Sequence, residues 1–147
     1  MKLKGERMRK LLQMENLERH YKTPAGIVRA LDGVSFEISE GERVILLGPS
    51  GSGKTTLLNC LSALDSPTGG DYTFLDIEVP RNNSEKMTSF RRENIGYVFQ
   101  FFNLLQDLTV LENILLIQEL AGNKNLSRAK ELLELVGLED EIDLFPG

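Results

Sequence analysis

The feature that most constrains this chain is a glycine-rich stretch whose sequence is Gly48-Pro49-Ser50-Gly51-Ser52-Gly53-Lys54-Thr55. It matches the P-loop pattern G-x-x-x-x-G-K-[ST] at every position. The apolar run 43–47 before it is typical of a buried parallel strand. The segment 56–64 after it has leucines at helical spacing. The order of strand, glycine loop and helix predicts an α/β fold built around a phosphate-binding loop.

The residue types of this loop indicate its chemistry. Glycines allow successive backbone N–H groups to converge on a phosphate, aided by the positive end of the following helix. Lys54 offers a positive charge to outer phosphates, and the Thr55 hydroxyl is suited to Mg²⁺. The alternative is a glycine-rich turn that binds nothing, which the complete motif disfavours.

Composition narrows the class of protein. The chain has 147 residues and a net charge of −5, which suits one soluble domain with a substantial core. Its basic residues concentrate before residue 31 without interleaved aromatics, so the sequence gives little support to nucleic-acid binding. Cys60 is the single cysteine, which excludes an internal disulfide and indicates a core thiol in a reducing cytoplasm.

Patterns along the chain predict further elements. Strands are expected over 11–21, 28–39, 72–79 and 95–99, with Tyr72, Phe74 and Ile77 facing inward in the third. Helices are expected over 84–92, from a capping box at 109–112 to about 121–122, and around 129–136, where Gly137 ends the last. The alternating strand 28–39 is expected to pair antiparallel with its neighbours.

Several segments together resemble the ATP-binding subunit of ABC transporters. The match runs from about Leu11 and rests on 31–36, 41–42, the P-loop, 64–70, and above all 95–105 with 108–113. The sequences of these segments are most similar to those of the branch that powers lipoprotein release and macrolide-type export. The resemblance implies an α/β fold, with a P-loop NTPase core, an antiparallel β subdomain and the start of an α-helical subdomain.

The resemblance also implies domain bounds. Residues 1–10 are expected to form a basic flexible extension, and 11–147 a partial ABC-type ATP-binding domain. Within it, 11–42 and 66–80 would form the β subdomain, 43–65 and 93–100 the P-loop core, and 101–147 the helical subdomain.

Two residues outside the P-loop acquire roles from the resemblance. Tyr21 falls where the family places an aromatic that stacks on adenine, although ordinary packing at a strand end is the alternative. Gln100 matches the Q-loop glutamine, which organises Mg²⁺ and water, although a loop glutamine without a role is the alternative. The implied cofactors are ATP and Mg²⁺, with Thr55 and Gln100 for the ion. The implied ATP-binding residues are Tyr21, Gly48, Pro49, Ser50, Gly51, Ser52, Gly53, Lys54, Thr55 and Thr56.

The implied partners are a membrane permease subunit and a second ATP-binding subunit in a homodimer. The implied location is cytoplasmic, peripheral to the inner face of the cell membrane. Phe101, Phe102, Leu104 and Leu105 could belong to the core or form an apolar edge that docks the permease.

Three family motifs do not occur in the 147 residues: the signature Leu-Ser-Gly-Gly-Gln, an apolar strand ending in Asp-Glu, and a switch His. His20, the single histidine, precedes the P-loop and cannot be the switch residue by order. Since water activation needs such groups, we expect this chain to be a truncated N-terminal part that does not turn over ATP alone. Two alternatives stay open: a non-hydrolysing nucleotide-binding half-domain completed by another chain, and a different P-loop enzyme such as a small-molecule kinase or GTPase.

Overall fold

The computed structural model describes residues 9–101 and 103–147 and begins with a long antiparallel hairpin. Its strands are β1, Lys10–Thr23, and β2, Gly26–Ser39, joined by a turn at Pro24-Ala25. Both strands and their antiparallel pairing confirm the sequence predictions. The greater part of the expected basic extension, residues 1–8, lies outside the described residues.

A second, shorter hairpin completes a four-stranded antiparallel sheet in the order β2-β1-β3-β4. It consists of β3, Gly69–Phe74, and β4, Ile77–Glu78. The prediction of one extended segment over 72–79 is therefore wrong. Leu75 and Asp76 have φ values of 50° and 64°, and two consecutive left-handed residues form the tight turn that a hairpin requires. Tyr72 is buried as expected, but Ile77 is 72% exposed because the turn carries it to the edge strand.

Helix α1, Lys54–Leu61, contributes Leu57 and Cys60 to the core of the sheet. Ala63 has a φ of 52°, a left-handed conformation that stops the helix from continuing. The carbonyls at this end are satisfied by two side chains: the Tyr72 hydroxyl donates to Leu61 O at 2.6 Å, and Arg91 Nη1 to Ala63 O at 2.6 Å. The buried core consists of Leu12, Met14, Leu17, Leu31, Leu57, Cys60, Ala63, Tyr72, Val79 and Met87.

Helix α2, Ser84–Asn94, confirms the helix expected over 84–92. The Asn83 side chain caps its first turn by accepting from Lys86 N at 2.9 Å. Met87 anchors the helix in the core, and Phe90 meets Phe74 edge-on with ring centroids 5.5 Å apart.

Two predictions of buried strands are wrong. Among the described residues, no strand pairs with 43–47 or with 95–99. Ile45 is 81% exposed and Val98 is fully exposed. A strand exists only through hydrogen bonds to a neighbour, and a parallel strand is buried only between covered faces. Neither segment has such neighbours in the described chain, so their apolar side chains stay open to solvent.

The chain divides into two compact units, Met1–Ile95 and Gly96–Gly147. The second contains α3, Val110–Leu120, and α4, Leu126–Leu135, as predicted. Thr109 and Glu112 form the expected capping box. Val110 N and Leu111 N donate to the carbonyls of Leu144 and Ile142, which satisfies first-turn donors of α3. No helix in the described part of the chain is long and apolar enough to cross a membrane.

The assignment of these elements to subdomains stays a prediction. The strands of the sheet lie in 10–39 and 69–78, which overlap the segments 11–42 and 66–80 expected for a β subdomain.

Candidate functional site

The loop 48–53 leads into α1, and Lys54 is the first residue of that helix. The Lys54 ammonium bends back over the loop and donates to Gly48 O and Pro49 O, each at 2.7 Å. Ser52 Oγ lies 3.4 Å from the same nitrogen. The positive charge of Lys54 is therefore held against the loop backbone rather than extended into solvent.

Gly53 fixes the transition from loop to helix. Its φ of 87° is left-handed, and a Cβ at this position would stand 2.5 Å from Ala30 O. Ala30 is skipped in the β1–β2 register, in which Arg19 pairs with Leu31 and His20 with Arg29. This bulge brings the backbone of β2 against the start of α1, a place that only glycine fits without strain.

The N-terminus of α1 has no side-chain cap, and its first turn contains no acidic residue. The three other described helices are each capped by a side chain, from Asn83, Thr109 and Asn125. Uncapped N–H groups and an unopposed positive helix end favour an anionic ligand. The residue types thus fit the phosphates of a nucleotide.

The hydroxyl residues of the loop lie close in sequence to Lys54 and differ in exposure. Ser50, Ser52 and Thr55 are exposed, whereas Thr56 is half-buried. Thr55 is the hydroxyl available at the helix start for a cation. No cluster of three or more His, Cys, Asp or Glu side chains suited to a metal occurs in 9–101 and 103–147. A Mg²⁺ ion would therefore need oxygen ligands from the phosphates and water in addition to Thr55.

Tyr21 lies near the end of β1, half-buried, opposite Val28. Its hydroxyl donates to Asp65 Oδ2 at 2.7 Å, and the Arg19 guanidinium lies over its ring at 4.5 Å from the centroid. With strand spacings of about 3.4 Å per residue and about 4.8 Å across the sheet, its backbone is about 8 Å from that of Ala30. Tyr21 and the P-loop therefore occupy neighbouring positions at one end of the hairpin, compatible with the two ends of a nucleotide.

Gln100 belongs to the other unit, where it lies exposed at a bend after 95–99. Its role as a Mg²⁺ and water organiser stays a prediction. Phe101, Leu104 and Leu105 are also exposed, which disfavours the core alternative for these three side chains, while Phe102 lies outside the described residues.

Two polar residues that the sequence interpretation passed over each hold several residues of their own unit together. Asp65 bonds to both Tyr21 and Arg19. In the second unit the Asn113 amide contacts Leu105, Leu108 and Thr109. Both stand inside segments that carry the family resemblance, but only the folded chain reveals their partners.

Comparison with known proteins agrees with this geometry. The family described as "ABC transporter" matches residues 31–146. An uncharacterized ABC transporter ATP-binding protein of Thermotoga maritima is 46% identical over 142 residues, covering 95% of this chain and 61% of the relative. The lipoprotein-releasing system ATP-binding protein LolD of Hyphomonas neptunium is 38% identical over 143 residues, covering 95% of this chain and 63% of LolD.

A solved structure shares the fold. The ATP-binding cassette MJ0796, in a dimeric post-hydrolysis state bound to ADP and Pi, superposes with a TM-score of 0.81 at 37% identity. The match covers 92% of this chain and 62% of that one. This chain thus spans about three fifths of the length of each of these three proteins. The alternative of an unrelated P-loop kinase or GTPase is wrong. The chain belongs to the ABC transporter family and has the fold of its ATP-binding cassette.

Proposed function

We propose that this chain binds MgATP at its P-loop, as part of the subunit that supplies an ABC transporter with energy. The observation that carries the proposal is the position of the Lys54 ammonium, held by two loop carbonyls beside the one uncapped helix start among the described helices. Such an arrangement concentrates positive potential where phosphates would bind. Membership of the family supports ATP as the nucleotide.

Each residue contributes a different interaction. The N–H groups of 48–56 would donate to the phosphates, Lys54 would neutralise the outer ones, and Thr55 would offer its hydroxyl to Mg²⁺. Tyr21 would stack on adenine, since an aromatic face holds a base without demanding hydrogen bonds. Gln100 would contribute a carbonyl oxygen to the ion or its water. When bound, ATP supplies the phosphoanhydride bond whose hydrolysis drives transport.

We further propose that hydrolysis and coupling belong to the whole subunit. The 147 residues contain groups that would bind phosphate, but their sequence has no Leu-Ser-Gly-Gly-Gln and no apolar run ending in Asp-Glu. The partners would be a membrane permease and a second ATP-binding subunit, at the cytoplasmic face of the membrane. The exposed side chains of Phe101, Leu104 and Leu105 support an apolar edge for the permease. MJ0796, which is dimeric, supports the pairing of two subunits.

A second reading is a nucleotide-binding half-domain that another chain completes. The exposed apolar side chains of 43–47 and 95–99 favour it, because unpaired strand-like segments are templates for pairing with other chains. The two readings differ in where the groups that activate water come from, and neither expects this chain alone to release inorganic phosphate from MgATP. The first expects release once this chain is joined to a segment like the remaining part of its relatives, and the second once a separate completing chain is added.

Thermal unfolding in the presence of ATP tests the binding proposal, with Thr55→Val as the informative variant. At a concentration 100 times the Kd, a ligand specific for the folded state stabilises it by about 2.7 kcal/mol. We expect the native chain to gain more from MgATP than from ATP with a chelator, and Thr55→Val to gain equally from both. Thr88→Val, an exposed threonine of α2, is the matched control and should respond like the native chain. No stabilisation of the native chain by MgATP would contradict the proposal.

A further inference from the structure

Asp65, which follows α1 in the chain, is the centre of a hydrogen-bonded cluster. One of its oxygens, Oδ2, accepts from Arg19 Nε at 2.8 Å and from the Tyr21 hydroxyl at 2.7 Å. The other, Oδ1, lies 2.7 Å from Arg19 Nη2 and accepts from Ser66 N at 2.8 Å. The side chains of Arg19 and Asp65 are only 22% and 24% exposed. Arg19 and Asp65 therefore form a bidentate ion pair that is largely shielded from solvent. Its two bonds fix the relative orientation of the two side chains.

The backbone on both sides of this cluster is fixed. Asn59 O accepts from Leu64 N and Asp65 N, which ties Asp65 to the end of α1. Thr68 N donates to Glu18 O at 2.7 Å, and His20 N donates to Thr68 Oγ1 at 3.1 Å. The segment 65–68 consequently runs beside β1 at the level of Arg19 and Tyr21. The carboxylate does not depend on a flexible loop for its position.

We infer that Asp65 is a positioning residue for the base of the nucleotide. Through its bonds to the Tyr21 hydroxyl and to Arg19, it fixes the tyrosine ring with one face covered by the guanidinium and offers the opposite face to the base. The inference rests on the proposed function, because it assumes that a nucleotide binds at the P-loop. It adds a specific task for two residues, Asp65 and Arg19, both of which lie outside the P-loop.

Two physical effects make this arrangement useful. A tyrosine already held in one orientation does not lose rotamer freedom when the base binds, a cost that a free side chain would incur. Aromatic faces carry negative potential and repel each other when stacked face to face. The guanidinium on one side of the Tyr21 ring attracts its π electrons and so reduces the negative potential of the opposite face. That face is then better suited to an electron-rich base.

Binding of two ligands separates this role from general damage to the site. ATP carries the base and the phosphates, whereas inorganic tripolyphosphate carries only phosphates. We expect Asp65→Asn, which removes the charge and keeps the shape, to weaken MgATP binding by about 2- to 12-fold, the range set by the lost preorganisation. Tyr21→Leu should weaken it by about 5- to 150-fold, the range for stacking of one base on an aromatic ring. Neither variant should change the Kd for Mg-tripolyphosphate.

A double variant tests whether Asp65 acts through Tyr21. If it does, Tyr21→Leu with Asp65→Asn binds MgATP no more weakly than Tyr21→Leu alone, because the positioned ring is already gone. Tyr21→Phe keeps the ring and loses only the bond to the carboxylate, so it should resemble Asp65→Asn. Arg19→Lys keeps the charge but cannot keep the bidentate pair with Asp65, so it too should weaken ATP alone. Glu131→Gln, an exposed acid of α4, is the control and should bind both ligands as the native chain does.

The outcomes distinguish this inference from the function on which it rests. A native chain that binds neither ligand overturns the proposed function and the role of Asp65 with it. A native chain that binds both, with MgATP affinity unchanged in Asp65→Asn and Tyr21→Phe, overturns only the positioning role. Equal weakening of ATP and tripolyphosphate by Asp65→Asn and Tyr21→Phe also overturns it, because the residue would then act on the fold of the site as a whole.

Discussion

The carbonyl oxygen of Ala30 stands 2.5 Å from the position that a Cβ of Gly53 would occupy. The bulge in β2 at Ala30 and the left-handed turn at Gly53 are therefore fitted to each other, and together they set the start of α1. The loop 48–53 takes its shape from the β1–β2 hairpin as well as from its own glycines.

We expect Gly53→Ala to lower the free energy of unfolding by more than the matched variant Gly33→Ala. Both glycines have nearly the same φ, 87° and 84°, but a Cβ on Gly33 would meet nothing within 4 Å. Each variant incurs the left-handed cost of about 1–2 kcal/mol, and only Gly53→Ala adds a contact with backbone. Urea unfolding measures both losses; equal losses would show that Ala30 does not constrain the loop.

Burial of Cys60 predicts a change of stability at alkaline pH. Loss of contact with water, followed by the charge of Asp65, raises the pKa of this thiol from an ordinary 9.0 to about 11. The unfolded chain therefore releases the proton first, so this contribution to stability is complete below pH 9 and lost as the pH rises from 9 to about 11. The full loss amounts to about 2–3 kcal/mol at 1.36 kcal/mol per pKa unit.

Cys60→Ala tests this prediction. Removing the thiol should lower the free energy of unfolding at pH 8, because the side chain is fully buried. It should also make the decline of that free energy between pH 9 and 11 shallower than in the native chain. Chemical unfolding at several pH values gives both slopes. Parallel declines of the two proteins would mean that the buried thiol does not titrate with a raised pKa.

Asn113 predicts a local effect in the second unit. Its amide nitrogen lies within 3.1 Å of the carbonyls of Leu105, Leu108 and Thr109, and its oxygen accepts from Leu105 N at 2.9 Å. Asn113→Ala removes the acceptor of the Leu105 N–H, a bond worth about 1 kcal/mol. Hydrogen exchange of the Leu105 N–H should therefore accelerate roughly fivefold. Asn123→Ala, at an exposed position after α3, should leave this exchange rate unchanged. An unaltered rate in Asn113→Ala would contradict the assigned contact.

The sequence was most informative where structure depends on neighbours along the chain. Three predictions with local causes are confirmed by the structure. They are the capping box at Thr109 and Glu112, the alternation of Val34, Phe36 and Ile38, and the glycine after α3. The turn at Leu75-Asp76 was missed because Leu75 is not a residue type that favours left-handed backbone, and no glycine marks the turn.

Where structure depends on distant partners, the sequence was less informative. The runs 43–47 and 95–99 have the apolar composition of buried strands, but a strand is a property of a pair, and no neighbour accompanies them in the described chain. Likewise, Asp65 reads as an ordinary loop acid until the fold brings it to Arg19 and Tyr21, 46 and 44 positions earlier in the chain.

The proposed function requires that the P-loop of this chain is formed and receives MgATP. We would titrate MgATP by calorimetry into the native chain and into Lys54→Ala, with Lys130→Ala, which removes one charge from an exposed lysine of α4, as the matched control. We predict saturable binding to the native chain and to Lys130→Ala, and a loss of measurable binding in Lys54→Ala. Binding of equal affinity by all three proteins, or by none, would contradict the claim.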